Sequence, residues 1–308
     1  MNKGNNEISY NDFDISSKQL TLKRKCHTDK VTCLCTLDDG RLVSGAKDNN
    51  IIIYNKITYE PDLIIKDHKD TINCVLKLDS DLLVSCSADK TIKIFKIKDN
   101  NYEIIQSLND HKDRINKVIE LKNKNLVSCS NDSSIIIYHK NNNNKYEKDY
   151  QIPSNGWCQC VIQTKENEIC YSENDDNFYN IYFYDLNEKK VKGKINEINI
   201  TSSEPFNMIT KDLLITGGYN EMYVIDVIKY NIIRTIDVPD AGLIFGFCML
   251  NENMFLTGGE DSIIRQWKIE GENINLFSQK EEAVILGLIK IGEGKLASYS
   301  YDESINIW

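Results

Sequence analysis

Histidine, serine and aspartate recur along this chain at fixed spacings, and these residue types can perform acid–base or nucleophilic chemistry. Three histidines are each followed 17 residues later by a serine and 21 residues later by an aspartate. The sets are His27, Ser44 and Asp48; His68, Ser85 and Asp89; and His111, Ser128 and Asp132. Because all three histidines occupy the same repeated position, we interpret each as a buried imidazole that links an aspartate in a turn to a serine in a strand. Aspartate suits the turn because its side chain accepts hydrogen bonds from nearby backbone N–H groups.

The sequence offers no other pattern for catalysis. It has no Gly-x-Ser-x-Gly segment, no phosphate-binding glycine loop and no His-Glu-x-x-His segment. Two cysteine pairs are spaced by two, Cys33 with Cys35 and Cys158 with Cys160, but no second pair at metal-ligand spacing completes four zinc ligands. We interpret these cysteines as small buried core residues. The prediction is therefore a protein that is not an enzyme, with no catalytic residue, no metal and no cofactor.

Charge and hydropathy narrow the classes of partner and compartment. The chain has 308 residues and a net charge of -9, whereas binding to nucleic acid relies on clustered Lys and Arg, so nucleic acid is an unlikely partner. No stretch approaches 18 consecutive apolar residues and the first residues do not have the pattern of a secretory signal. We expect a soluble, cytoplasmic protein that does not insert into a membrane, with nuclear or cytoskeletal association left open. Its ten cysteines are expected to be free thiols, since disulfide frameworks belong to short secreted chains.

The elements that hold these residues repeat at a spacing of 41 to 44 residues. Taking the acid or amide of the tight turn as the landmark gives seven positions: Asp48, Asp89, Asp132, Asp176, Asn220, Asp261 and Asp302. The segments around them, such as "TIKIF" and "SIIIY", are β-branched and aromatic and are bounded by Asn, Asp and Gly. Short strands at this period are typical of propeller blades. We predict an all-β fold, a seven-bladed β-propeller of four-stranded antiparallel blades.

The segment "SKQLTLKR" at residues 17–24 is predicted to close the ring. It has the alternation of a strand and precedes the first blade, while the last blade lacks a fourth strand. Pairing the two would remove a free sheet edge; the alternative is that the missing strand reflects an accidental boundary. We therefore predict an N-terminal tail at 1–16 and a single propeller at 17–308. Its blades are expected at about 27–66, 68–108, 111–152, 154–199, 200–238, 240–279, and 281–308 together with 17–25.

The repeated residues resemble those of the WD40-repeat β-propeller family, in which His, Ser or Thr, the turn Asp and an aromatic residue form a buried hydrogen-bonded set. The aromatic residues here stand six positions after their aspartates and are Tyr54, Phe95, Tyr138, Trp267 and Trp308. The resemblance is strongest in blades 1 to 3 and weakest in blades 4 and 5. Blades 6 and 7 lack the histidine but keep Thr257 with Asp261, and Ser298 with Asp302. The Trp-Asp dipeptide that names the family is absent.

The resemblance also implies which residues meet partners on the narrow top face of the ring. They are the third and fifth residues after the histidine position and the residue before the turn acid. In blades 1 to 3 these are polar or basic: Lys30, Thr32, Lys47, Thr71, Asn73, Arg114, Asn116 and Asn131. In blades 4 to 7 they are mostly aromatic or aliphatic: Trp157, Gln159, Tyr219, Leu243, Phe245, Glu260, Val284, Leu286 and Tyr301.

These residues predict a non-enzymatic scaffold for protein–protein interaction, a monomeric propeller within a complex. A peptide or protein segment would dock across the apolar arc, with Arg114 and Lys30 receiving its acidic residues. One alternative is a substrate-recognition subunit of a larger regulatory complex, such as a ubiquitin ligase or a cytoskeletal assembly. A less favoured alternative is an enzyme that uses the propeller as a platform. Fold-level resemblance does not choose among them.

Overall fold

The structure is a computed structural model of the chain. It describes residue 15 and residues 19–78, 82–174, 179–200, 206–270, 273–280, 283–292 and 294–308, with the backbone alone for 270 and 273–280. Asp176, one of the predicted turn acids, lies outside the described residues, as do residues 17 and 18 of the predicted closing strand.

The described residues form seven four-stranded antiparallel sheets. The first strand is β1 (Leu22–Arg24). Blade 1 contains β2 (Val31–Thr36), β3 (Leu42–Ala46), β4 (Ile51–Tyr54) and β5 (Pro61–Ile65). Blade 2 contains β6 (Ile72–Lys77), β7 (Leu82–Ser87), β8 (Ile92–Lys98) and β9 (Asn101–Leu108). Blade 3 contains β10 (Ile115–Glu120), β11 (Leu126–Ser130), β12 (Ser134–Lys140) and β13 (Tyr146–Pro153).

The remaining blades follow the same order. Blade 4 contains β14 (Trp157–Lys165), β15 (Glu168–Asn174), β16 (Tyr179–Asp185) and β17 (Lys190–Ile198). Blade 5 contains β18 (Phe206–Met208), β19 (Leu213–Gly217), β20 (Glu221–Asp226) and β21 (Asn231–Asp237). Blade 6 contains β22 (Ile244–Asn251), β23 (Met254–Gly259), β24 (Ile263–Glu270) and β25 (Asn273–Lys280). Blade 7 contains β26 (Ile285–Lys290), β27 (Leu296–Ser300) and β28 (Ile305–Ile307).

The strand from the amino-terminal side completes blade 7. In six blades the four strands pair in chain order, whereas the seventh sheet has the order β1-β28-β27-β26. Leu22 pairs with Ile307 and Arg24 pairs with Ile305, and both the backbone N–H and the hydroxyl of Thr21 donate to the Ile307 carbonyl at 2.8 Å. The predictions of a seven-bladed propeller and of its closure by the N-terminal strand are confirmed. The paired strand is limited to Leu22–Arg24.

Packing between blades explains why the middle strands are apolar without alternation. Every residue of β3 and β4 is buried, because adjacent blades cover both faces of these sheets. The clusters of apolar side chains lie between neighbouring blades, and one of them contains Cys74 and Cys86 of blade 2 together with Val118 and Tyr138 of blade 3. The ten cysteines are free, and nine of them are buried. In this setting the thiols pack as small apolar side chains.

Two further searches cover the part of the chain that the structure describes. None of its helices is long and apolar enough to cross a membrane. No group of three or more His, Cys, Asp or Glu side chains within it is arranged to hold a metal ion.

Candidate functional site: the mouth at the top of the ring

The turns between the second and third strands of each blade define the top of the ring, and in blades 1 to 3 a buried hydrogen-bonded set holds each turn in place. In blade 1 the Tyr54 hydroxyl lies 2.9 Å from the Ser44 hydroxyl, which lies 2.6 Å from His27 Nε2. Nδ1 of His27 donates to the Asp48 carboxylate at 2.9 Å. The carboxylate fixes the imidazole proton on Nδ1, so Nε2 accepts from the serine hydroxyl. Blades 2 and 3 repeat these contacts at 2.7 to 2.9 Å through His68, Ser85 and Asp89, and through His111, Ser128 and Asp132.

The turn aspartates are held as carboxylates. Burial raises the pKa of Asp48, but hydrogen bonds from His27 and from the Thr28 and Asn50 N–H groups lower it further, to about 2. Opposed in the same way by burial, the equivalent hydrogen bonds in blades 2 and 3 lower the pKa values of Asp89 and Asp132 well below the ordinary aspartate range. Asp48 Oδ1 also accepts the N–H of Asn50 at 3.0 Å, and this contact closes the turn around the left-handed residue Asn49.

Blades 6 and 7 lack the histidine and satisfy their turn acids with other cations. Asp261 binds Arg265 of the same blade, with Nη1 3.1 Å from Oδ1. Asp302 binds Lys23, which lies on β1, at 2.9 Å. The closing strand therefore brings the cation that the turn of blade 7 needs.

The aromatic residues of blades 6 and 7 also bond to the second strand. Trp267 Nε1 donates to the Thr257 hydroxyl at 2.9 Å, and Trp308 Nε1 donates to the Ser298 hydroxyl at 3.1 Å. The structure thus places Thr257 and Ser298 in the position that Ser44 has in blade 1.

Blade 4 builds a similar arrangement from different residues. Glu173, on the second strand, is 2% exposed and accepts hydrogen bonds from the Ser154 hydroxyl and from the Asn155 N–H at 3.2 Å. Ser154 lies 43 residues after His111, so these donors correspond to the histidine position and the residue after it. The carboxylate that accepts them comes from the strand, whereas the sequence pattern searched for an acid in the turn.

Blade 5 has a shorter turn, and its amide makes a bond to the next blade. Asn220 itself takes the left-handed conformation, with φ 59°, whereas in blades 1 and 6 the residue after the acid does so. Its side-chain oxygen accepts the Gly242 N–H at 2.7 Å. A β-bridge between Tyr219 and Leu243 lies beside this bond and joins blade 5 to blade 6.

Three polar residues of the predicted top face connect neighbouring blades. The Thr32 hydroxyl of blade 1 donates to the Ile72 carbonyl of blade 2. Asn73 Nδ2 donates to the Ile115 carbonyl, and Asn116 Nδ2 donates to the Cys158 carbonyl, both at 2.7 Å. These side chains were predicted as partner contacts, but their hydrogen bonds join blades 1 to 4, a role that the sequence analysis did not assign.

The innermost strands and the turns enclose a cavity of about 460 Å³, which we call the mouth. Seven of the ten predicted partner-binding residues line it: Lys30, Lys47, Arg114, Trp157, Gln159, Phe245 and Tyr301. Its other lining residues are Thr32, Asn73, Asn116, Asn131, Leu286 and Tyr299. The remaining three predicted residues lie together at blades 5 and 6, where Tyr219 pairs with Leu243 and Glu260 accepts the Leu243 N–H at 3.0 Å.

Tyr299 is the lining residue that the sequence analysis missed. It follows Ser298 on the second strand, at a position that is glycine in blades 1, 5 and 6 and cysteine in blades 2 and 3. A Cβ added to Gly287 would lie 2.3 Å from the Tyr299 ring, so the glycine provides the space for the ring. A large residue at a small position, with a nearby glycine, is the sequence signal that could have identified it.

The two sides of the mouth differ in chemistry. Lys30, Lys47 and Arg114 form no ion pair with any carboxylate that the structure describes. Arg114 donates to the Asn73 side chain at 2.6 Å, and the Lys30 ammonium lies 3.1 Å from the centre of the Tyr301 ring. On the apolar side, Trp157 is 50% exposed and Tyr301 is 52% exposed. Unneutralised cations therefore stand beside exposed aromatic rings in a chain whose net charge is -9.

The architecture and the repeated buried sets are those of a seven-bladed WD40-type β-propeller. The sequence model described as "WD domain, G-beta repeat" matches residues 18–55 and 60–96, so the predicted resemblance to the WD40 repeat is confirmed. Among solved structures, the WD40 β-propeller domain of Doa1 aligns with a TM-score of 0.78 and 16% identity, covering 94% of this chain and 96% of that one. At that identity the likeness shows the fold alone. No curated protein matches the chain.

Proposed function

We propose that this protein is a non-catalytic scaffold that binds a peptide or protein segment in the mouth. WD40 propellers are generally interaction scaffolds, which supports the general class. The observation that carries the specific proposal is the pairing of unneutralised cations with exposed aromatic rings around one cavity. Aromatic and Arg residues are the side chains enriched at the centres of protein interfaces.

The chemistry of the mouth indicates the kind of segment that it binds. A carboxylate of the partner would receive hydrogen bonds from Arg114 and Lys47, which have no described carboxylate partner. An apolar side chain next to it would cover Trp157 and remove half-exposed ring surface from water. The proposed ligand is therefore an acidic segment with an adjacent aliphatic or aromatic residue.

The test is selection of peptides from a random display library, followed by affinity measurement with the purified chain. We expect selected sequences to combine Asp or Glu with a large apolar residue. Trp157→Ala should weaken their binding by at least about tenfold, because a central interface tryptophan contributes about 2 kcal/mol or more. Arg114→Glu should weaken it further at low salt than at high salt, since screening reduces the charge contribution.

A matched control is Ile57→Ala, which alters a side chain that is 79% exposed and lies in the loop after β4, at the opposite end of the ring. It should leave affinity unchanged. Equal binding by wild type, Trp157→Ala and Tyr301→Ala would refute the mouth as the binding site. Capture of partners from cells of the source organism with the same variants then identifies the complex to which the scaffold belongs.

A further inference from the structure

A second site lies at the end of the ring away from the mouth, where residue 15 is buried between blades 6 and 7. Ile15 is completely buried, although it lies upstream of the closing strand. It belongs to an apolar cluster contributed by both blades. The other members are Cys248, Leu250, Met254, Leu256 and Ile264 from blade 6, and Ile285, Leu288, Leu296 and Trp308 from blade 7.

One polar residue of blade 6 faces this isoleucine. Gln266 is 4% exposed and lies on β24, one residue before the aromatic position. In blades 1, 2 and 3 the same position holds buried isoleucines, which are Ile53, Ile94 and Ile137. A buried amide costs free energy unless its polar atoms are hydrogen-bonded, so a glutamine in place of isoleucine needs a partner.

The partner is the backbone of the residue that fills the cluster. Gln266 Oε1 accepts the backbone N–H of Ile15 at 2.8 Å, and Gln266 Nε2 lies 3.5 Å from the Met254 sulfur. The blade therefore recognises both parts of one residue: the apolar cluster receives its side chain, and the amide oxygen receives its N–H. Packing of a strand against the ring would require only the first of these contacts.

We propose that the cleft between blades 6 and 7 is a peptide-binding slot whose occupant is the chain's own segment around Ile15. The slot takes an aliphatic side chain together with the main-chain N–H of the same residue. Because only the stretch between residue 15 and β1, which starts at Leu22, joins the occupant to the ring, the slot is filled at a high effective concentration. A segment from another protein would have to compete with this tethered one.

The test uses the full chain carrying Ile15→Asp, which removes the aliphatic side chain from the slot, with Ile15→Ala as a milder variant should the first not fold. The probe is a fluorescent peptide of residues 10–20, YNDFDISSKQL. We expect saturable binding to the variant and at least about tenfold weaker binding to wild type, whose slot is occupied. The same peptide with aspartate in place of its isoleucine should not bind.

A second measurement separates recognition by Gln266 from simple packing. In the Ile15→Asp chain, Gln266→Leu should raise the melting temperature, because it removes an amide that has lost its backbone partner. In the wild-type chain the same substitution should lower it. Leu20→Asp, at a side chain that is 43% exposed, is the control and should change neither quantity.

Two results would overturn the slot. One is the absence of peptide binding to both residue-15 variants up to about 1 mM, the order of effective concentration that a short tether provides. The other is a Gln266→Leu effect of the same sign and size in both chains. Trp157→Ala should leave peptide capture by the Ile15→Asp chain intact, so failure of this slot and failure of the mouth are separate outcomes.

Discussion

The hydrogen bond between His27 and Asp48 makes a specific prediction about how stability depends on pH. The pKa of Asp48 is about 2 in the folded chain, against 3.8 for an ordinary aspartate, and its side chain is 6% exposed. A folded pKa below the unfolded one stabilises the fold above pH 4, and this contribution is lost as the pH falls towards 2. The difference corresponds to about 2 kcal/mol at neutral pH, of which about 1 kcal/mol is lost by pH 3.

The assay is urea unfolding of wild type and Asp48→Asn at a series of pH values from 7 to 2.5, followed by tryptophan fluorescence. The variant should be less stable than wild type at pH 7, and the gap should narrow by about 1 kcal/mol by pH 3. The control is Asp39→Asn, because Asp39 is half exposed and its ion pair with Arg41 should contribute little. A gap between wild type and Asp48→Asn that stays constant over this pH range would refute the assigned role of the carboxylate.

Two further predictions concern the buried contacts of blades 6 and 7. Thr257→Val leaves Trp267 Nε1 without its acceptor and should lower the free energy of unfolding by about 1–3 kcal/mol, whereas Thr257→Ser should cost less; equal urea midpoints for the two variants would contradict this. Gly287→Ala places a methyl group 2.3 Å from the Tyr299 ring and should cost about 1–3 kcal/mol in the same measurement. Adding Tyr299→Leu should recover part of that loss, and no recovery would show that the ring is not the obstacle.

The blade count and the closure of the ring could be predicted because each depends on a local pattern that repeats. A turn acid needs the same backbone geometry in every blade, so Asp48 and its equivalents keep their spacing. Burial on both faces makes the middle strands uniformly apolar, which identifies them without alternation. The short closing strand was predictable because one sheet lacked a strand and the preceding segment had a strand pattern.

Other features depend on contacts between residues that are distant in sequence. Glu173 serves blade 4 from a strand, so a search for turn acids does not find it. Asn73 and Asn116 could be assigned to the top of the ring, but their bonds to neighbouring blades depend on how the blades pack. Gln266 looked like an ordinary polar residue until the structure placed Ile15 beside it. In each case the partner, and not the residue type, determines the role.

The pairing of β1 with β28 has a consequence for synthesis on the ribosome. Leu22 is made early, whereas its partner Ile307 is added 285 residues later. At a translation rate of about 5–20 residues per second, the early strand waits roughly 15 to 60 s for its partner. During that interval its unpaired edge and the unfinished blades are open to misassociation, so we expect a nascent chain that lacks the last blade to depend on chaperones until translation is complete.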